Sequence, residues 1–209
     1  MRRIEISMPL YVGMPSFPGD PLFASTPVHS IDRGDAYNVS ELALGSHAGT
    51  HVDPPVHFIP GGATTDQLDL TALNGPCWVA DVDRNATSIG VEDVTRLPAG
   101  VERVLFRTSN SSRWERSMSF FSDYVALRPE AARALVARNL RLVGIDALSI
   151  ENDPSGSFPV HHTLLGAGTL VLEGLLLGAA PAGGSTLECL PLRWRGGDGG
   201  PARANLVTP

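Results

Sequence analysis

Residues 46–58 read S-H-A-G-T-H-V-D-P-P-V-H-F, and this run constrains the backbone more tightly than any other in the chain. Pro54 and Pro55 lack an N–H, and each disfavours helical backbone in the residue before it. Gly49 weakens a helix further. His47 and His51 stand four apart, a spacing that shares one helix face, but no regular helix is expected through these breakers. In an extended segment side chains alternate, so all odd-numbered positions share one side. His47, His51, Asp53 and His57 are all odd-numbered, and the odd positions between them hold only Gly49 and Pro55. A strand or bulged strand is therefore expected to present the four donors together. Three of the chain's six histidines lie here, His161 and His162 form a second group, and only His29 stands apart. Imidazoles beside a carboxylate suit a borderline divalent ion such as zinc.

With 209 residues the chain can bury a core, and no repeat, low-complexity block or linker divides it, so residues 1–209 read as a single domain. The net charge of −6, without a basic run, argues against nucleic-acid binding. Arg2 and Arg3 precede apolar residues in the manner of a signal, but Glu5 and Pro9 interrupt them and no small-residue cleavage site follows. No apolar run reaches the about 18 residues of a membrane span. The strongest, residues 169–180, is broken by Glu173. A cytoplasmic protein is expected. Cys77 and Cys189 have no CxxC spacing, and Cys77 in PCWVADV reads as a buried apolar residue.

Residues 4–7 alternate as a short strand, and residues 37–44, YNVSELAL, as another. Residues 11–27 carry Pro15, Pro18 and Pro21 with Gly13 and Gly19, and are expected to form a structured loop. Residues 77–82 and 101–108 read as strands, residues 89–93 as a short turn or helix, and residues 109–122 as an irregular excursion. Residues 128–139 are the clearest helix: Pro129 suits the first turn, and Ala132, Leu135, Val136 and Asn139 share a mainly apolar face. A strand follows at 140–145. The pattern predicts an α/β fold, a single mixed domain with a β-rich core and flanking helices.

Asp146 follows the last of these strands, with Ser149 and Asp153 nearby, where loops often carry function. His161, His162 and Glu173 lie beyond, in HHTLLGAGTLVLEGL. A carboxylate among Leu, Val and Gly is costly to bury unless paired, protonated or coordinated. Coordination answers that cost for Glu173, and a hydrogen-bonded buried Glu is the alternative. His57 reads as either a ligand or a proton-transfer group, and His162 as a supporting or merely packed residue. Gly49 and Thr50 shape the backbone, with the Thr50 hydroxyl free to support a ligand. His29 has no chemical role.

The run H-A-G-T-H-V-D-P-P-V-H matches the signature HxGTHxDxPxH, and the chain resembles the cyclase family. That family includes bacterial-type kynurenine formamidases (arylformamidases), isatin hydrolases and natural-product cyclases. PSFPGDP resembles the family's xWPGDxP segment, and NGPCWVADV and RVLFRTSNS its strands. LVGIDALSIENDPSGSFPVHHTLLGAGTLVLEGL follows its GID…S…HH…LEGL run, and GGDGGPARANL its close. The resemblance spans nearly the whole chain and implies a cyclase-like fold of the swivelling β/β/α type. It implies that His47, His51 and Asp53 hold one metal, that Asp53 bridges to a second held by His161, and that Glu173 contacts both. The ions implied are two divalent metals per subunit, Zn2+ with Mn2+ as the alternative, and His57 takes the place of the catalytic acid/base. A homodimer or larger homo-oligomer is implied as well. Phe17 stands where kynurenine formamidases carry Trp, a substrate-binding position. Phe still stacks on an aryl ring, and a loop anchor is the competing reading.

The resulting expectation is a metal-dependent hydrolase of linear amides, taking N-formyl-L-kynurenine and water to L-kynurenine and formate in tryptophan catabolism. Isatin hydrolysis or a natural-product cyclisation on the same site is a sibling reading. A non-catalytic metal-binding module is a reading from another class, and His57 counts against it.

Overall fold

The computed structural model describes residues 1–208. Its strands are β1 (Arg2–Glu5), β2 (Ala24–His29), β3 (Val39–Ala43), β4 (His51–Asp53), β5 (Gly75–Asp81), β6 (Ser88–Ile89), β7 (Arg103–Arg107), β8 (Ala126–Leu127), β9 (Leu142–Ile145), β10 (Leu170–Glu173), β11 (Gly183–Pro191) and β12 (Gly200–Thr208). Its helices are α1 (Leu70–Leu73), α2 (Val91–Thr95), α3 (Ser109–Arg116), α4 (Pro129–Ala137) and α5 (Pro159–Gly166).

The runs VLF, LVGI and LVL in β7, β9 and β10 have no polar alternation, the mark of strands buried on both faces. They are the middle of one sheet with the order β1-β12-β11-β5-β7-β9-β10-β4. Neighbours from β5 to β10 run parallel, and the flanking pairs are antiparallel. β4 pairs with β10 on one side and with the start of β12 on the other, which closes the sheet into a barrel.

Alternation sorts the side chains into two cores. Val104, Phe106, Val143, Ile145 and Val171 point outward, under Val94 of α2, Ala131 and Leu135 of α4, and Val160 and Leu164 of α5. Leu105, Leu142, Leu170 and Leu172 point inward, onto Val52, Cys77, Leu187, Cys189 and Leu206. At Gly144 an added Cβ would come within 2.5 Å of Leu105 Cδ2 and 3.0 Å of Leu175 Cδ1, so the inner core requires a glycine there. Burial pushes the thiols of Cys77 and Cys189 up to about 12, which fits apolar filling and not nucleophilic use.

Two expectations are corrected. The first half of the expected irregular stretch 109–122 is α3. Thr108 caps it by accepting from Asn110 N at 3.0 Å, and the buried Asp146 carboxylate accepts from Thr108 N at 2.8 Å and Ser111 N at 3.0 Å. An anion at the positive end of the helix, supplied by the residue just after β9, overrides a weak local propensity. The second correction concerns residues 47–57, which are not one strand. Only His51–Asp53 is paired, His47 precedes it in a turn, and Pro55–His57 is a short 3-10 helix. Pro54 and Pro55 have no N–H to extend the ladder, and a single tight turn tolerates proline where an α-helix does not. The helix at 128–139 and the strands at 77–82, 101–108 and 140–145 form within a residue or two of the expected ends.

Phe106→Ala empties fully buried volume between sheet and helices. Urea titration is expected to show a loss of about 3–5 kcal/mol. Leu190→Ala, on an exposed site, is expected to change stability by about 0.5 kcal/mol or less.

Candidate metal centre

The donors come together where β4 meets β10. The antiparallel register sets His51 opposite Glu173 and Asp53 opposite Val171. Because Val52 points into the barrel, His51 and Asp53 point out of it, toward the first turn of α5 and His161. His51 Nε2 lies 3.4 Å from Asp53 Oδ1 and 3.2 Å from Glu173 Oε2. His161 Nε2 lies 3.3 Å from Glu173 Oε1 and 3.8 Å from Asp53 Oδ2. His47 arrives from the preceding turn, its Nδ1 2.9 Å from Asp53 Oδ1. The ligand-type atoms form two groups, His47–His51–Asp53 and Asp53–His161–Glu173, each with all atoms within 4.8 Å of one another. Asp53 belongs to both.

Backbone contacts aim these groups. His51 Nδ1 donates to Gly49 O at 2.9 Å, which leaves Nε2 for the centre. Ile150 N donates to Glu173 Oε1 at 2.6 Å. The Thr50 hydroxyl accepts from Met8 N at 2.8 Å and donates to Gly174 O at 2.5 Å, joining the histidine turn to the residue after Glu173. The approach there is close enough that a Cβ on Gly174 would stand 2.2 Å from Gly49 O, and Gly174 has φ +67°. Gly174 is therefore required on both counts.

Asp53 is fully buried, and burial opposes its charge, yet the His47 and His51 imidazoles packed against it hold its carboxyl well below the usual range. Glu173 is likewise held low against burial and against the Asp53 charge, by His161 and His51. Burial would lower the two imidazoles, but their carboxylate partners raise His51 and His161 to about 10. His47 Nε2, His51 Nε2 and Asp53 Oδ2 are buried without a hydrogen-bond partner. An unmet buried polar atom costs about 1–3 kcal/mol, and three on one cluster are what a cation satisfies. A Cβ on Gly199 would lie 2.6 Å from His47 Nε2, so that glycine leaves room beside the unmet nitrogen. The donor set is nitrogen and oxygen without thiolate, which fits Zn2+ or Mn2+.

The remaining residues fall around this core. His57 stacks on His47 with centroids 3.9 Å apart, so the 3-10 turn delivers it where a strand was expected to. His162 is exposed and meets only the edge of Phe58 at 5.3 Å. His29 lies 3.8 Å from Asp35 on another part of the chain. Phe17 is half-buried, with its ring edge-on to Phe120 at 5.9 Å. Phe120 in turn approaches Tyr124 at 6.4 Å, whose hydroxyl donates to Glu151 O at 2.6 Å. Phe17 is thus linked to Glu151 through Phe120 and Tyr124. Three neighbours escaped the sequence reading: Gly199, Phe58, which stacks on His161 at 4.5 Å, and Glu151, 2.8 Å from His161 Nδ1. Phe58 follows His57 directly, so adjacency to the motif was a usable signal, whereas Glu151 carries no local mark. Two clefts of about 1060 and 910 Å3 lie elsewhere, one lined by Arg84, Arg107 and Ser112, the other by Trp78, Val101 and Ser185. Neither is lined by a donor of the cluster, and size alone does not outweigh convergent donor chemistry.

A closed mixed barrel bearing a buried cluster of three histidines and two carboxylates defines a protein built around a metal-ion centre. Residues 4–152 match the sequence profile of the family described as "Putative cyclase", and the chain belongs to that family. A kynurenine formamidase of Salinibacter ruber is 40% identical over 174 residues, 81% of this chain and 79% of its own. A solved structure described as a potential metal-dependent hydrolase with cyclase activity superposes with a TM-score of 0.83 at 32% identity, covering 98% of this chain and 96% of its own. Isatin hydrolase A of Labrenzia aggregata superposes with a TM-score of 0.84 at 26% identity, over 100% of this chain and 94% of its own.

In metal-free protein the pairings have a defined pH dependence. Imidazoles raised from 6.5 to about 10 contribute stability that is fully present below 6.5 and lost as pH rises through about 10. The depressed carboxylates contribute stability present above their ordinary range and lost on acidification. The thermal midpoint of chelator-treated protein is expected to fall steadily between pH 6.5 and 10. A flat profile over that window contradicts the pairings.

Proposed function

We propose that this chain is a metal-dependent amide hydrolase that converts N-formyl-L-kynurenine and water to L-kynurenine and formate. The carrying observation is the set of unmet buried donors around Asp53, in a chain 40% identical to a protein named kynurenine formamidase. We take residues 1–209 as one hydrolase domain. His47, His51 and Asp53 would hold one divalent ion, and Asp53, His161 and Glu173 a second, with Zn2+ or Mn2+ the candidates. Bound there, such ions supply an acidified water and polarise the substrate carbonyl.

His57 is the proton carrier in this reading. Burial lowers its imidazole below the ordinary value, so a ring nitrogen is unprotonated at neutral pH and open to a proton. It takes a proton from the attacking water and gives it to the aniline nitrogen as the C–N bond breaks. Stacking on His47 fixes the ring plane, so this transfer needs no reorientation. Phe17 is the proposed contact for the substrate's aryl ring. The likeness to isatin hydrolase A, together with a phenyl ring where an indole is usual, supports a second reading in which a cyclic amide is opened on the same centre.

The chain would work as a homodimer or larger homo-oligomer. β2 and β3 pair only with each other among the described residues, and their hairpin exposes Val28, Ile31, Tyr37, Val39 and Leu42. An isolated two-stranded hairpin is marginal in water, and a second copy would cover it. No helix among the described residues is long and apolar enough to cross a membrane. The cytoplasm is the proposed compartment, in keeping with two free, buried cysteines.

Chelated protein reconstituted separately with zinc and manganese is expected to deformylate N-formylkynurenine faster than it opens isatin. Absence of deformylation with either metal sinks the substrate assignment, and faster isatin opening favours the second reading. His57→Ala is expected to lower kcat/KM by about 10²–10⁴ with metal content unchanged; full turnover would remove His57 from the mechanism. In sedimentation, Leu42→Glu is expected to shift the protein toward monomer.

A further inference from the structure

We infer that Glu151 is a positioning residue, which fixes the orientation and tautomer of His161 for metal binding. The inference rests on the metal reading above and extends it to a side chain outside the proposed ligand set.

Helix α5 begins with an unusual problem. Its cap residue, Phe158, offers no side-chain acceptor and sits in the left-handed region at φ +49°. Pro159 has no N–H, so the free amides of the first turn are those of Val160 and His161. Glu151 meets both: Oε1 accepts from Val160 N at 2.8 Å and Oε2 from His161 N at 3.2 Å. The same Oε2 lies 2.8 Å from His161 Nδ1. A carboxylate only accepts, so Nδ1 carries the proton and donates, and Nε2, which faces Asp53 and Glu173, is the nitrogen that would bind a metal. A negative group at a helix N-terminus is also favourable in itself.

Glu151 is held as firmly as it holds. It is 4% exposed. Tyr124 Oη donates to its carbonyl at 2.6 Å, and its own N–H donates to Ser149 Oγ at 3.3 Å. The preceding residue, Ile150, gives its N–H to Glu173 Oε1 at 2.6 Å and accepts from Leu127 N at 2.8 Å. Two adjacent residues therefore orient two of the proposed ligands, one through a backbone amide and one through a side chain. On its far side the His161 ring is closed off by the stacked Phe58, so the imidazole cannot turn without losing either the carboxylate or the ring contact.

Glu151→Gln tests this. The amide places either an N–H against Nδ1, forcing the wrong tautomer, or an N–H against the helix amides. Zinc affinity, read by chelator competition, is expected to fall about 10–100-fold. The Nδ1–H signal of His161 in ¹⁵N-labelled, zinc-loaded protein is expected to weaken. Glu151→Asp, which keeps a carboxylate, is expected to retain that signal with a smaller loss, and it serves if the glutamine variant does not fold. Asp153→Asn is the structural control. It loosens the same loop, where Asp153 accepts from Ser155, Ser157 and Phe158, and is expected to lower the thermal midpoint without changing zinc affinity. Wild-type zinc affinity in Glu151→Gln, or an equal loss in Asp153→Asn, overturns the inference while leaving the metal reading intact. Wild-type protein that takes up no zinc overturns both.

Discussion

Two carboxylates buried side by side are the constraint from which the rest of this structure follows. Asp53 has no exposed surface, Glu173 almost none, and each charge makes the other harder to bury. Only donors packed directly against them make that arrangement tenable, and three imidazoles and a backbone amide are brought from three separate segments to do so. The fold's least regular features serve this convergence. β4 is three residues long, yet it pairs on both edges and presents two donors outward while Val52 plugs the barrel. Gly174 permits the backbones to touch just beyond Glu173.

The histidine run was legible because its meaning is local: donor types, their number and the prolines that forbid helix are all visible within residues 46–58. The strand assignments were legible for the same reason, since apolar runs in β7, β9 and β10 need no partner to be recognised. One failure was local: the strand expected over 47–57 stops at Asp53, where Pro54 and Pro55 have no N–H to extend the ladder. The others depended on distant atoms. α3 was taken for an irregular stretch because its stabilising anion, Asp146, sits just after β9. Glu151 was invisible on both counts, since its role is defined by a ring and two amides on a helix that follows. Barrel closure was hidden too, resting on a two-residue pairing at Gly200 and Pro201.

The likeness to both a formamidase and an isatin hydrolase has a physical sense in this arrangement. Every proposed ligand lies on the closed barrel, in the turn that leads into β4, or on the first turn of α5. The aromatic residues around Phe17 lie on loops and the segment after α3. Chemistry set by rigid elements stays constant while recognition set by loops is free to vary. The centre can be common to several amide substrates, with discrimination left to a few ring contacts.

The meeting of β4 with the start of β12 also bears on how the molecule is made. Val52 and Gly200 are far apart in sequence, and Gly199 packs directly against His47. Contacts this remote in sequence form late, because their loop-closure entropy is met before they return any stabilisation. During synthesis the first histidines emerge early and wait, unpaired, while the segments carrying His161, Glu173 and Gly199 are still to come. All five proposed ligands precede Gly200 in sequence, so pairing with β12 closes the barrel around donors that are already made.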